Sequence, residues 1–235
     1  MANYIIIPAS LSSKRLPRKL LLSDTGKPLI QHTWENCLKI PNTKTLIATD
    51  NPEILDACTA FGADVLFDQT PASCGTARVV AATKRLTDCE TVTNVQGEWP
   101  QINPDDIYKN IELAKSHYCP LMTSLYYQGD AVENPNIVKV VLGKNKRALY
   151  FSRSNIPHQN STLKYHIGVY TLNQRMIDFY PTLTMPQELK SENLEQLIVL
   201  ANQFPILMLE STPTYGVDTL KSYERFVSDV NNLKS

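Results

Sequence analysis

Short β-branched runs alternate with stretches of helical apolar spacing through the first hundred residues. Tyr4-Ile-Ile-Ile7 predicts a strand buried on both faces of a parallel sheet, ended by Pro8, which has no N–H to donate. Residues 29–39 carry helical spacing, 45–50 a second buried strand, and 52–61 a helix stopped by Gly62. A third strand follows at 63–67, a helix at 75–86 and a fourth strand at 91–95. Strands and helices alternating at this spacing predict a doubly wound, mostly parallel α/β sheet. The pattern then changes. Residues 137–142 and 147–152 alternate in polarity around Gly143-Lys-Asn-Lys146 and predict a β-hairpin. Another strand is predicted at 165–172, a helix at 192–203 and a C-terminal helix at 222–233. No repeat or long linker divides the chain, so residues 1–235 read as one domain, with the hairpin segment, about 131–175, inserted in it.

Charge narrows the function classes. The 235 residues hold 23 basic and 23 acidic side chains, a balance that argues against nucleic-acid binding. No apolar run approaches ~18 residues and the N-terminus lacks a signal-peptide core, so a cytoplasmic protein without membrane insertion is expected. Cys37, Cys58, Cys74, Cys89 and Cys119 are scattered, odd in number and without metal-ligand spacing, which predicts reduced thiols.

Three stretches carry candidate chemistry. Beyond the first strand, Lys14, Arg15, Arg18 and Lys19 fall within six positions, where an open α/β sheet binds ligands. These residues alone leave two readings, a phosphate-holding loop or solvated surface charge, and neither common glycine fingerprint is present. The fourth strand ends in Asn94-Val-Gln-Gly-Glu-Trp-Pro100, which places the Glu98 carboxylate at the binding edge, with Gly97 leaving room for a ligand. Asp218, in Tyr215-Gly-Val-Asp-Thr219, is a second carboxylate ahead of a helix. Together the two suit Mg²⁺ facing nucleotide phosphates, while Asp218 alone is equally a helix N-cap.

Read in order, these and further segments resemble the 3-deoxy-manno-octulosonate (Kdo) cytidylyltransferases, also called CMP-Kdo synthetases. The resemblance is carried by Ile7-Pro-Ala…Arg15-Leu-Pro…Lys19, Gly26-Lys-Pro-Leu29, Ala48-Thr-Asp50, Gly75-Thr-Ala-Arg78 and Asn94-Val-Gln-Gly97. It continues through Asn134-Pro-Asn-Ile-Val-Lys-Val-Val141, Ala148-Leu-Tyr-Phe-Ser-Arg153, His166-Ile-Gly-Val-Tyr170, Leu194-Glu-Gln-Leu197 and Gly216-Val-Asp-Thr219. It implies a Rossmann-like three-layer αβα sandwich of the nucleotide-diphospho-sugar transferase type, with an added β-hairpin. The implied reaction moves CMP from CTP to the anomeric hydroxyl of Kdo or a close 2-keto sugar acid, releasing pyrophosphate. Such a reaction serves lipopolysaccharide or surface-polysaccharide synthesis.

The same resemblance implies roles for individual residues. Arg15, Lys19 and Arg78 would be catalytic cations, and Pro8, Ala9, Ser10, Arg15, Lys19, Gly75 and Gln96 would hold the nucleotide. Gln96, His166, Tyr170, Glu195 and Gln196 would bind the sugar acid, Glu98 and Asp218 would bind Mg²⁺, and the protein would be a homodimer. Alone, His166 and Tyr170 are also read as core residues, and only one of the adjacent Glu195 and Gln196 is expected to face a pocket. The chain departs from the family pattern at Ser10, Cys74, Ala77, Glu98 and Trp99, with Arg18 a candidate replacement for the cation missing at Ser10. These departures keep two alternatives open: an impaired nucleotide- or sugar-acid-binding paralogue, or a nucleotidyltransferase for a sialic-acid-like substrate.

Overall fold

Each apolar run of the N-terminal half forms a strand, and a helix carries the chain back to start the next. The computed structural model describes residues 1–233, without the side chain of Glu188. β1 (Ala2–Ala9), α1 (Leu29–Cys37), β2 (Thr43–Thr49), α2 (Pro52–Ala60), β3 (Val65–Phe67), α3 (Gly75–Thr83) and β4 (Cys89–Val95) follow in order. α4 (Pro104–Lys115), β5 (Met122–Asp130), the β6–β7 hairpin (Lys139–Leu142 and Ala148–Ser152) and β8 (Thr162–Asn173) come next. The chain ends with α5 (Gln174–Phe179), α6 (Leu197–Ala201), β9 (Ile206–Glu210) and α7 (Leu220–Asn232).

Among the described residues the strands run in the order β3-β2-β1-β4-β8-β5-β9. β1 to β4 are mutually parallel, and β8 lies antiparallel between β4 and β5. Alternation along β1 builds a core on each face. Ile5 and Ile7 join Leu29, Ile54, Ile107 and Phe226 on one side, and Ile6 joins Val79, Met176 and Leu197 on the other. Helices thus cover both faces, giving the three-layer sandwich. Each fully buried isoleucine contributes about 1.5–3 kcal/mol, which fixes the strand whose end carries the basic loop.

Two local expectations are corrected. Pro8 does not end β1: pairing with β4 stops at Ile6, but Pro8 and Ala9 stay in register with Ala48 and Thr49 of β2. A proline costs the ladder nothing on the side that has no partner. The helix expected at 192–203 is broken. A 3-10 turn covers Gln187–Glu192, Asn193 is left-handed at φ +50°, and α6 begins only at Leu197. No helix among the described residues is long and apolar enough to cross a membrane, and the five cysteines are free thiols.

Candidate active site

β1 and β4 lie side by side, and from them the strand order runs outward in opposite directions, the place where open α/β sheets bind ligands. From β1 the chain enters the basic loop. Lys19 begins a short 3-10 turn (Lys19–Leu21) whose Leu20 is buried, and this draws its ammonium inward. Lys19 Nζ lies 2.6 Å from Asp218 Oδ1 and 3.3 Å from Glu98 Oε1. Arg15 Nη2 is 3.3 Å from Asp218 Oδ2, and its Nη1 donates to Asn136 Oδ1 at 2.6 Å. Burial would lower the pKa of Lys19, but the charges of Glu98 and Asp218 outweigh it and hold it above the ordinary value. Burial pushes the Glu98 carboxyl up, opposed by Lys19.

Asp218 is not a helix cap. Thr219 caps α7, accepting from Ser222 N–H in a reciprocal capping box, which leaves the Asp218 carboxylate free for the cations. The Val217 N–H donates to the Glu98 carbonyl at 2.8 Å and ties the two carboxylate-bearing segments together. Among the described residues no group of three or more His, Cys, Asp or Glu side chains could hold a metal. The Glu98–Asp218 pair fits Mg²⁺ nonetheless. It is an oxygen-only set already closed around a cation, and Mg²⁺ takes one or two carboxylates, with substrate phosphates and waters completing its shell.

Beside this charge cluster opens a cavity of about 1000 Å³. Glu195 organises its floor. One carboxylate oxygen accepts from the Thr76 N–H at the start of α3 at 2.8 Å, where the helix dipole favours an anion, and the other accepts from Gln96 Nε2 at 2.8 Å. Gln196 also lines the cavity. Its Oε1 accepts from the Tyr170 hydroxyl at 3.1 Å, and its buried Nε2 has no partner among the described residues. Both neighbours reach the cavity because they precede α6 rather than sit within a helix, which overturns the expectation that only one would. Tyr170 stays a phenol, since burial and then Glu195 raise its pKa well above the ordinary value.

His166 is part of the wall as well as of the core. It is 6% exposed, bonds Ser124 Oγ through Nε2 at 2.9 Å and packs against Phe151 and Tyr170. Burial lowers its pKa to about 3, so the ring is neutral.

The other predicted residues gather on the β2 side of the cluster. Pro8 and Ala9 end β1, and Arg78 of α3 meets Asp50, just past β2, at 2.5 Å rather than lining the cavity. Gly75 joins the two regions: a Cβ there would stand 3.4 Å from Pro8 and 3.6 Å from Glu195. Ser10 bonds Ser12, and Cys74 caps α3 through sulfur, its thiol pushed up to about 11 chiefly by burial. Two readings are corrected here. Arg18 does not replace a cation at Ser10, because its guanidinium pairs with Glu53 on α2. The room at Gly97 is taken by Leu20, whose Cδ2 would lie 2.8 Å from a Cβ, and not left for a ligand. Sequence reasoning also missed Asn136, which holds Arg15 from 121 residues away.

A profile of the cytidylyltransferase family matches residues 4–211. The chain belongs to this family. It is 38% identical over 231 residues to the 3-deoxy-manno-octulosonate cytidylyltransferase of Chlorobium limicola, covering 93% of each chain. It is 39% identical over 246 residues to "3-deoxy-manno-octulosonate cytidylyltransferase 2" of Actinobacillus pleuropneumoniae, covering 96% of this chain and 97% of that one. A solved CMP:2-keto-3-deoxy-manno-octonic acid synthetase complexed with CTP superposes with a TM-score of 0.91 at 30% identity, over 99% of this cytidylyltransferase and 100% of that chain.

Proposed function

We propose that this cytidylyltransferase transfers CMP from CTP to the anomeric hydroxyl of Kdo, releasing pyrophosphate. One observation carries the reading: two loop cations and two carboxylates meet at the edge of a cavity lined with hydrogen-bonding groups. Attack on the α-phosphorus gathers negative charge on phosphate oxygens, and preorganised cations stabilise that charge most effectively. Arg15 and Lys19 would engage the triphosphate. Glu98 and Asp218 would hold a Mg²⁺ ion, which supplies further charge neutralisation at the phosphates. Gln96, Glu195, Gln196 and Tyr170 would orient the sugar acid and bring its hydroxyl into line, a contribution that grows with the precision of the geometry.

A homodimer belongs to the same proposal. The hairpin exposes Leu149 and Tyr150, and Val132 is exposed on the segment before it, apolar side chains that a second copy would cover. Sedimentation equilibrium tests this part. The reaction is tested by incubating purified protein with each nucleoside triphosphate, Mg²⁺ and a panel of 2-keto sugar acids while pyrophosphate is measured. Release that depends on both CTP and Kdo supports the reading, and release with another pair replaces it.

A further inference from the structure

Trp99 stands at the seam between the charge cluster and the cavity. It follows Glu98 directly, and its backbone N–H closes a turn on the Gln96 carbonyl at 3.1 Å. Its indole lies against two glycines from other segments. A Cβ on Gly168 of β8 would come 3.3 Å from Nε1, and one on Gly216 would come 3.4 Å from Cζ2. A side chain at Gly168 would therefore crowd the ring, while a Cβ at Gly216 would meet it at contact distance. The side chain is half-buried, lines the cavity, and its Nε1–H meets no acceptor among the described residues. Its Nε1–H is therefore open to the cavity and available to a bound molecule.

We infer that Trp99 is a specificity-determining residue for the acceptor sugar, a step that rests on the cytidylyltransfer reading above. The indole offers a flat apolar face and one donor, and no acceptor. It suits the C–H face of a sugar ring with one oxygen at its edge, and disfavours a carboxylate against its electron-rich face. The ring also bounds the cavity where it lies against Gly168 and Gly216, so removing it enlarges the space open to a longer sugar acid.

Two measurements on the intact protein test this. The chain has two tryptophans, and Trp34 lies on α1 against Phe61, with ring centroids 5.2 Å apart. Titrating Kdo without nucleotide should change the wild-type tryptophan emission saturably and leave Trp99→Phe, whose remaining fluorophore is Trp34, unchanged. In steady state, Trp99→Ala should raise KM for Kdo about tenfold and hold KM for CTP within about twofold. Its preference for Kdo over a nine-carbon nonulosonate should fall about tenfold, and Trp99→Phe, which keeps a flat apolar face but no donor, should recover part of both. An unchanged Kdo KM and preference in Trp99→Ala, or equal rises in both KM values, overturns the inference. An emission response without turnover leaves Trp99 at the sugar site and removes the transfer reading. Absence of any wild-type response or turnover with Kdo removes both.

Discussion

The Lys19 ammonium lies 2.6 Å from Asp218 Oδ1, so the chain's own cation stands where a divalent ion would meet that carboxylate. The same nitrogen reaches Glu98 at 3.3 Å, and Arg15 covers the other Asp218 oxygen. With the triphosphate present, both cations would gain a more highly charged partner, which would free the carboxylates for metal. Nucleotide and metal should therefore bind with positive coupling. Mn²⁺, followed by electron paramagnetic resonance, should bind the nucleotide-free protein about tenfold more tightly in Lys19→Met than in wild type. Equal affinities would show that Lys19 does not compete for the site.

Removing that ammonium should also cost stability. The Lys19 side chain is only 11% exposed, and without it two carboxylates face each other. Urea unfolding of Lys19→Met should show a loss of about 1–3 kcal/mol. A loss near zero would mean that the loop behaves as solvated surface.

Arg15 is more exposed and its fold contribution smaller, so its replacement should act on the chemistry. Arg15→Ala should lower kcat/KM by about 2–4 kcal/mol of transition-state stabilisation, and Asn136→Ala, which removes the acceptor that holds the guanidinium, by about 1 kcal/mol. An Arg15→Ala enzyme of normal efficiency would remove this residue from the phosphate site.

Glu98 sets stability against activity. Burial raises its pKa above the unfolded value, so its contribution to stability is present at low pH and lost as pH rises through the folded pKa. At pH 7 the buried charge is therefore a cost. Glu98→Gln should hold or raise the unfolding free energy at pH 7 while activity falls at least about a hundredfold. Asp218→Asn should lose activity as severely with stability within about 1 kcal/mol, its side chain being 27% exposed. Full activity in either variant would exclude that carboxylate from the reaction.

His166 predicts an acid-sensitive core. Its folded pKa of about 3 lies below the ordinary 6.5, so the stability it supports is present above pH 6.5 and lost as pH falls toward 3. Between pH 7 and pH 5 this one group should account for about 2 kcal/mol of lost unfolding free energy. Denaturation of wild type and His166→Gln at both values checks it, the difference shrinking in the variant. Parallel losses would place the sensitivity elsewhere.

The N-terminal half of the fold was legible because β1, β2 and β4 are runs of Ile, Leu, Val and Thr separated by helices of regular spacing. β5 escaped notice since its buried stretch, Met122-Thr-Ser-Leu-Tyr126, mixes hydroxyls into the core; Ser124 is there to bond His166 and the β8 backbone. α4 was missed as well: Asn103 caps it and Pro104 takes the first helical position, but its apolar stripe is interrupted by buried Asp106 and Asn110. At the site, the juxtaposition of Lys19 with Asp218 spans 199 residues and follows from topology, which local pattern does not encode. Resemblance to a family identified the members of the cluster. Only the fold shows that Arg78 and Asp50 form a pair of their own and that Asn136 holds Arg15.

The most direct test of the account is ³¹P NMR of purified protein with CTP, Kdo and Mg²⁺. The account predicts that the three CTP resonances give way to equal amounts of pyrophosphate and a CMP–sugar phosphodiester, with no change when Kdo or Mg²⁺ is omitted. CTP left intact in the complete mixture, or cleaved without a sugar ester forming, would contradict it.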